Sequence, residues 1–184
     1  MKVFQMRLMV NKYQYFLTDP ISDYTKLYMN GAPIGDLWVP PKVYVQYPHR
    51  PRGNFFQPNE SVLIADEKAA HVLRSHLSFA GELLPLPYVD ETLTVLNVTE
   101  CIDVLDRDRT KFAAAATPGV RGEILHPVFR RERFTEASLF KIPDDNGAEI
   151  YVLEGANDFD MEFRLAVADA GLEGLTFTEI WSED

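Results

Sequence analysis

The sequence predicts an α+β fold with mixed, mostly antiparallel sheets, two strand-helix-strand modules and few helices. Three observations carry this. A plan of apolar strand, amphipathic helix, glycine and second strand occurs twice, with the glycine 18 residues after mid-strand in one copy and 19 in the other. Six prolines between Pro33 and Pro58 exclude helix and central strand there, because proline lacks the backbone donor both require. Asn146-Gly147 between apolar runs is a hairpin signal.

The elements follow in order. Residues 2–17 alternate enough to open the chain with a strand, which Asp19-Pro20 ends. Within the proline-rich segment one edge strand is expected over Lys42 to Tyr47, and the interleaved Trp38, Tyr44, Tyr47, Phe55 and Phe56 either cover the core or form an exposed patch. The first module runs from Val62-Leu63-Ile64 through Asp66, an N-cap that accepts from first-turn amides, into a helix with Ala69, Leu73, His76 and Leu77 on its apolar face. Gly81 then suits the left-handed residue beyond a helix, and a strand follows over Leu83 to Val89.

Thr92 to Val98 is strand-like, Cys101 to Leu105 reads as a short turn of helix, and Lys111 to Gly122 as the connection between lobes. Strands are expected at Glu123 to Arg130 and Ser138 to Ile142, the latter pairing with residues 149–153. The second module runs from Ile150 to Leu153, through Asn157 as N-cap, into a helix whose buried face is Phe159, Phe163, Ala166, Val167 and Ala170. Gly171 and Gly174 precede a last strand over Leu175 to Ile180. The chain is expected to form a single domain, divisible into lobes of about 1–110 and 111–184.

Charge is distributed unevenly. Residues 1–143 carry 16 acids and 17 bases, whereas residues 144–184 carry 12 acids against Arg164 alone. A field of one sign repels polyanions and attracts a basic surface, so no nucleic-acid partner is expected for this half. No apolar run approaches the roughly 18 residues of a membrane span, so no membrane partner is expected. The polar opening residues argue against a signal peptide, and Cys101 as the one cysteine fits a reducing compartment. A cytoplasmic location is the expectation.

Catalytic signals are sparse. The sequence holds no Gly-x-Ser-x-Gly, phosphate loop, dinucleotide fingerprint or His-Glu-x-x-His. His71 and His76 point about 140° apart on a helix and cannot share a metal. His76 reads as a bonded core histidine and His126, before Pro127, as structural. Cys101 as nucleophile with His126 as base is the one hydrolase-like alternative, set against a small buried thiol. No catalytic residue, metal or cofactor is expected. The arginines at 107, 109, 121, 130, 131 and 133, with Phe129 and Phe134 nearby, fit pairing with the tail carboxylates better than a nucleic-acid patch.

Two acidic features stand out as candidate partner-binding surfaces. Asp158, Glu162, Leu165 and Asp169 fall at i, i+4, i+7 and i+11, one lateral stripe if the second helix runs through them. Asp144 and Asp145 sit at the hairpin tip beside Asn146.

The order of Val95 to Asp103, Leu125-His126-Pro127-Val128-Phe129 through Leu139-Phe140-Lys141-Ile142, Ile150 to Leu153, and Ala170 to Phe177 resembles a bacterial family. That family, a former domain of unknown function of the myxobacterial immunity type, is assigned to immunity proteins of polymorphic-toxin and related contact-dependent loci. The resemblance implies a non-catalytic protein that neutralises a cognate toxin by occluding it. Charge placement then makes the acidic residues 144, 145, 158, 162 and 169, with Leu165, the expected contact for a basic toxin surface. The other reading is a scaffold or regulatory module that oligomerises through residues 33–58.

Overall fold

A computed structural model describes residues 1–115, 121–156 and 162–183. It is an α+β protein built around two antiparallel sheets. The larger sheet contains β1 (Lys2–Leu8), β9 (Leu139–Phe140), β10 (Tyr151–Glu154) and β11 (Leu175–Ser182) in the order β11-β1-β10-β9. The smaller contains β4 (Leu63–Ala65), β5 (Gly81–Tyr88) and β6 (Glu91–Val98) in the order β4-β6-β5. Two-stranded ribbons are made by β2 (Tyr15–Thr18) with β3 (Val43–Gln46), and by β7 (Lys111–Phe112) with β8 (Ile124–His126).

The repeated plan is visible in the topology. In the first module β4 leads through α1 (Glu67–Val72) and α2 (Arg74–Ala80) to β5, and β6 pairs antiparallel between them. In the second, β10 leads through α3 (Phe163–Asp169) to β11, and β1 pairs antiparallel between them. Both are therefore split strand-helix-strand units, each opened by one inserted strand. The insertion of β1 draws the first strand of the chain into a sheet otherwise made from residues beyond 138.

Local chemistry explains the helix ends. The Asp66 carboxylate accepts from the Ala69 amide at 2.8 Å and from Asn54 Nδ2 at 2.8 Å, so it caps α1 and anchors a loop together. At the end of α3, Gly171 has φ +58, its amide donates to Ala168, and the Leu172 amide donates to Val167. That is a Schellman closure, with Val167 and Leu172 in the same apolar cluster. Gly81 departs from the expected left-handed cap. It is extended at φ 168 and is the first residue of β5, where a Cβ would lie 2.0 Å from the Asn97 carbonyl oxygen. Close backbone approach, rather than helix closure, fixes glycine there.

Three apolar clusters divide the interior. The central one joins Phe4, Met6, Leu8 and Val152 of the larger sheet to Leu63 and Leu96 of the smaller, with Ala69, Leu77, Phe163 and Val167 from α1, α2 and α3. A second covers the other face of the smaller sheet with Phe16, Leu27, Met29 and Phe56. The proline-rich segment thus covers core, with Phe55 and Phe56 fully buried and Trp38 packed against this cluster. It is held there by the Glu82 carboxylate, which accepts from the Ile34 and Gly35 amides, each at 2.8 Å, and from Asn97 Nδ2 at 2.9 Å. The Ile34 amide above all, with the Asn97 amide and the Gly35 amide, holds that carboxyl below its ordinary value against the opposing effect of burial. A third cluster covers part of the larger sheet's outer face with Val104, Leu105, Phe129, Phe140 and Leu153.

Residues 101–105 do not form the expected helical turn. Cys101 bridges Lys141 in parallel and Leu105 bridges Phe129, because extended chain is what lets Val104 and Leu105 cover the sheet. The described helix of the second module begins at Phe163, with Glu162 at its N-cap. The expected cap Asn157 lies outside the described residues.

Candidate partner-binding site

The two faces of the larger sheet have different fates. Phe4, Met6, Leu8 and Val152 point into the central core under α3. By strand alternation Val3, Gln5 and Arg7 point the other way, and the third cluster covers that face from Val3 as far as Tyr151, the partner of Gln5. At the far end Gln5, Glu149 and Tyr151 floor a cleft of about 370 Å³, with Arg7 paired to Glu149. Its walls are Arg121 to Ile124 on one side and the turn Asp144 to Ala148 on the other.

The turn is built by Pro143–Asp145, a single 3-10 turn closed by Asn146 at φ +59 and Gly147 at φ +66. A Cβ on Gly147 would lie 2.3 Å from the Asn30 carbonyl oxygen, so the left-handed conformation and the close approach both require glycine. Beneath the turn, fully buried Lys141 donates to the carbonyls of Met29, Ser61 and Gly147, the last two at 2.7 Å. Burial pushes its amine down to about 8, which still leaves an ammonium at neutral pH, and three carbonyls use its three protons. Lys141 therefore ties the turn to the β2–β3 connection at Met29 and to the loop before β4 at Ser61.

The four carboxylates of the cleft differ. Asp144 is held by Arg107 at 2.7 and 2.9 Å in a two-pronged pair, with Arg121 at 3.4 Å. The bonds to Asp144 and to Asp103 hold the Arg107 guanidinium far above its ordinary value. Asp145 accepts from the Tyr151 hydroxyl at 2.8 Å and from the Ala148 amide at 3.2 Å. Burial raises its pKa despite those bonds, and no cation stands at ion-pair distance from it among the described residues. Burial likewise raises Glu149, with Arg7 opposing, and Arg7 and Glu149 form an ion pair. Glu123 is exposed. Burial also drives the Tyr151 phenol far up, so it remains a donor to Asp145.

The expected helical stripe is not formed by the described residues. Glu162 precedes α3 rather than lying on it and is 5% exposed. It accepts from the Gly155 amide at 2.5 Å, while its other oxygen is buried with no hydrogen-bond partner among the described residues. Burial raises its pKa. A loop-closing role for this carboxylate replaces the surface role that helical spacing suggested. Leu165 is half-buried, Asp169 is exposed, and Asp158 lies outside the described residues. Because α3 packs on the core side of the sheet and the cleft lies on the other, Leu165 and Asp169 do not share a surface with Asp144 and Asp145. Glu123, Glu149, Gln5 and Tyr151 join the hairpin acids instead. Sequence reading missed them because strand pairing between distant segments brings them together.

The arginines pair internally. Arg131 meets Glu183 at 3.3 Å and Arg107 meets Asp144, both tail carboxylates, while Arg130 meets Asp106 at 3.6 Å and Arg133 meets Asp103 at 3.0 Å. Phe129 and Phe134 pack with Phe140 and Trp181 rather than standing free for stacking. Cys101 is exposed, its thiol pushed up by burial of the sulfur and by Asp145, the reverse of an activated nucleophile. His76 is 5% exposed in α2, edge-on to Phe163.

Among the described residues, no group of three His, Cys, Asp or Glu is placed to hold a metal ion, and no helix is long and apolar enough to cross a membrane. No protein-family model matches the chain, and no curated protein matches it.

Proposed function

We propose that the chain is an immunity-type binding protein, without catalysis of its own, that neutralises a cognate bacterial toxin in the cytoplasm by occluding a basic surface the toxin needs. The observation that carries this reading is the acidic cleft at residues 144–149. Its carboxylates are fixed in advance by Arg107, Tyr151 and Arg7, so a basic side chain entering it meets acceptors that need no reordering. Asp145, without a cation at ion-pair distance among the described residues, and exposed Glu123 supply the unspent negative charge. The surplus of acids over residues 144–184 speeds encounter with a basic partner. The motif order from Val95 to Phe177 points the same way.

Growth rescue tests it. The chain is co-expressed with the product of each neighbouring gene, and protection from one toxic product is expected. Absence of both rescue and complex with every neighbour would remove the proposal.

A further inference from the structure

The two sheets treat their long free edges differently. In the smaller sheet the Thr99 amide bonds the Ala80 carbonyl, so even-numbered residues of β5 face β6 and odd-numbered ones face outward. Pro85 and Pro87 fall at outward positions, where their missing N–H groups remove the donors an incoming strand would use. The outward carbonyl of Pro85 is taken by Trp38 Nε1 at 2.8 Å. That edge is closed.

In the larger sheet the edge belongs to β11, eight residues long. The Met9 amide bonds the Gly174 carbonyl, and the register Leu8↔Leu175 through Phe4↔Glu179 then turns the backbone groups of Leu175, Phe177 and Glu179 outward. No other backbone group bonds them among the described residues. The sequence Leu-Thr-Phe-Thr combines residues that favour strands. Thr176 and Thr178 are exposed and lie opposite Arg7 and Gln5, on the same face of the sheet as the acidic cleft.

We propose that β11 accepts an extended, basic segment of a partner protein as an added strand, continuing the sheet beyond its free edge. The inference rests on the reading of the chain as a binder of a basic protein and names how that protein is held. Main-chain bonds to residues 175, 177 and 179 supply the pairing, and side chains on one face of the added strand point to the side on which the cleft opens. Charge selects the occupant. Residues 173–183 hold Glu173, Glu179 and Glu183 and no base; among the described residues Lys2 bonds Glu179 across the ladder and Arg131 reaches Glu183 from outside the sheet. A second copy would bring a like-charged strand against this edge, whereas a lysine- or arginine-bearing segment is attracted.

The test uses the full chain, ¹⁵N-labelled, titrated with a synthetic peptide that alternates lysine and valine and is long enough to span β11, beside a control with glutamate for lysine. The lysine peptide is expected to shift and protect the amides of Leu175, Phe177 and Glu179. The double variant Thr176→Lys, Thr178→Lys is expected to weaken it about tenfold at low salt, with an unchanged urea midpoint because both threonines are exposed. Unperturbed β11 amides, equal binding of the glutamate peptide, or amides already protected by self-association would each overturn the proposal. Growth rescue by a neighbouring gene product reads the binder function separately, so rescue with an unresponsive β11 removes the edge and leaves the binder standing.

Discussion

Replacing Lys141 with methionine removes the ammonium that joins the Asp144–Ala148 turn to the loops at Met29 and Ser61, while keeping an unbranched apolar stem. Three buried carbonyls lose their donor. An unsatisfied buried acceptor costs roughly 1–3 kcal/mol, and relief from burying a charge offsets part of the total. The lower end of the range, about 3 kcal/mol for the three together, is the expected loss. With a urea m-value of about 2 kcal/mol/M, the midpoint falls by about 1.5 M. Unfolding followed by fluorescence of Trp38 and Trp181 measures it. The sign of the pH dependence is fixed as well. Burial puts the folded amine at about 8, and an unfolded lysine titrates near 10.4, so the unfolded chain binds more protons between those values. Wild-type stability gains from this group as pH rises from 8, and the gap to Lys141→Met widens. A midpoint shift below about 0.3 M at pH 7, or a gap that narrows above pH 8, would refute the role assigned to this lysine.

Other substitutions probe separate links. Asp66→Ala removes the cap of α1 and the Asn54 bond, and is expected to cost about 1–2 kcal/mol in the same urea assay. Glu162→Gln should raise the urea midpoint at pH 7, because the carboxylate is buried and one of its oxygens has no partner among the described residues. Its raised pKa means that the folded state takes up a proton before the unfolded state as pH falls, so the gain should shrink towards pH 4. A gain that persists unchanged in acid would show that charge burial is not its cause.

What the sequence disclosed and what it hid have physical reasons. The helix ends were legible at Asp66 and Gly171, where one residue type satisfies a local backbone requirement. The two modules were legible because apolar periodicity is local too. That the second module is split by β1 was not, since β1 reaches β11 across most of the chain and nothing near Lys2 announces its partners. Glu162 was misplaced for a related reason. Its spacing suits a helix surface, but the helix begins one residue later and the side chain turns inward to the Gly155 amide. Lys141 left a readable trace in Leu139-Phe140-Lys141-Ile142, where a single charge interrupts a fully buried run. The acidic cleft was half legible: Asp144 and Asp145 stand in the hairpin, while Gln5, Glu123 and Glu149 join them only through long-range pairing.

The most direct measurement of the binding account is the association rate between this chain and the neighbouring gene product that it protects against, comparing wild type with the double variant Glu123→Gln, Asp145→Asn. Both changes remove charge and keep shape. If the cleft receives a basic surface, association slows by about tenfold at low salt and the two proteins converge as salt rises. Equal rates at low salt, with an intact fold, would contradict the assignment of the cleft as the docking site.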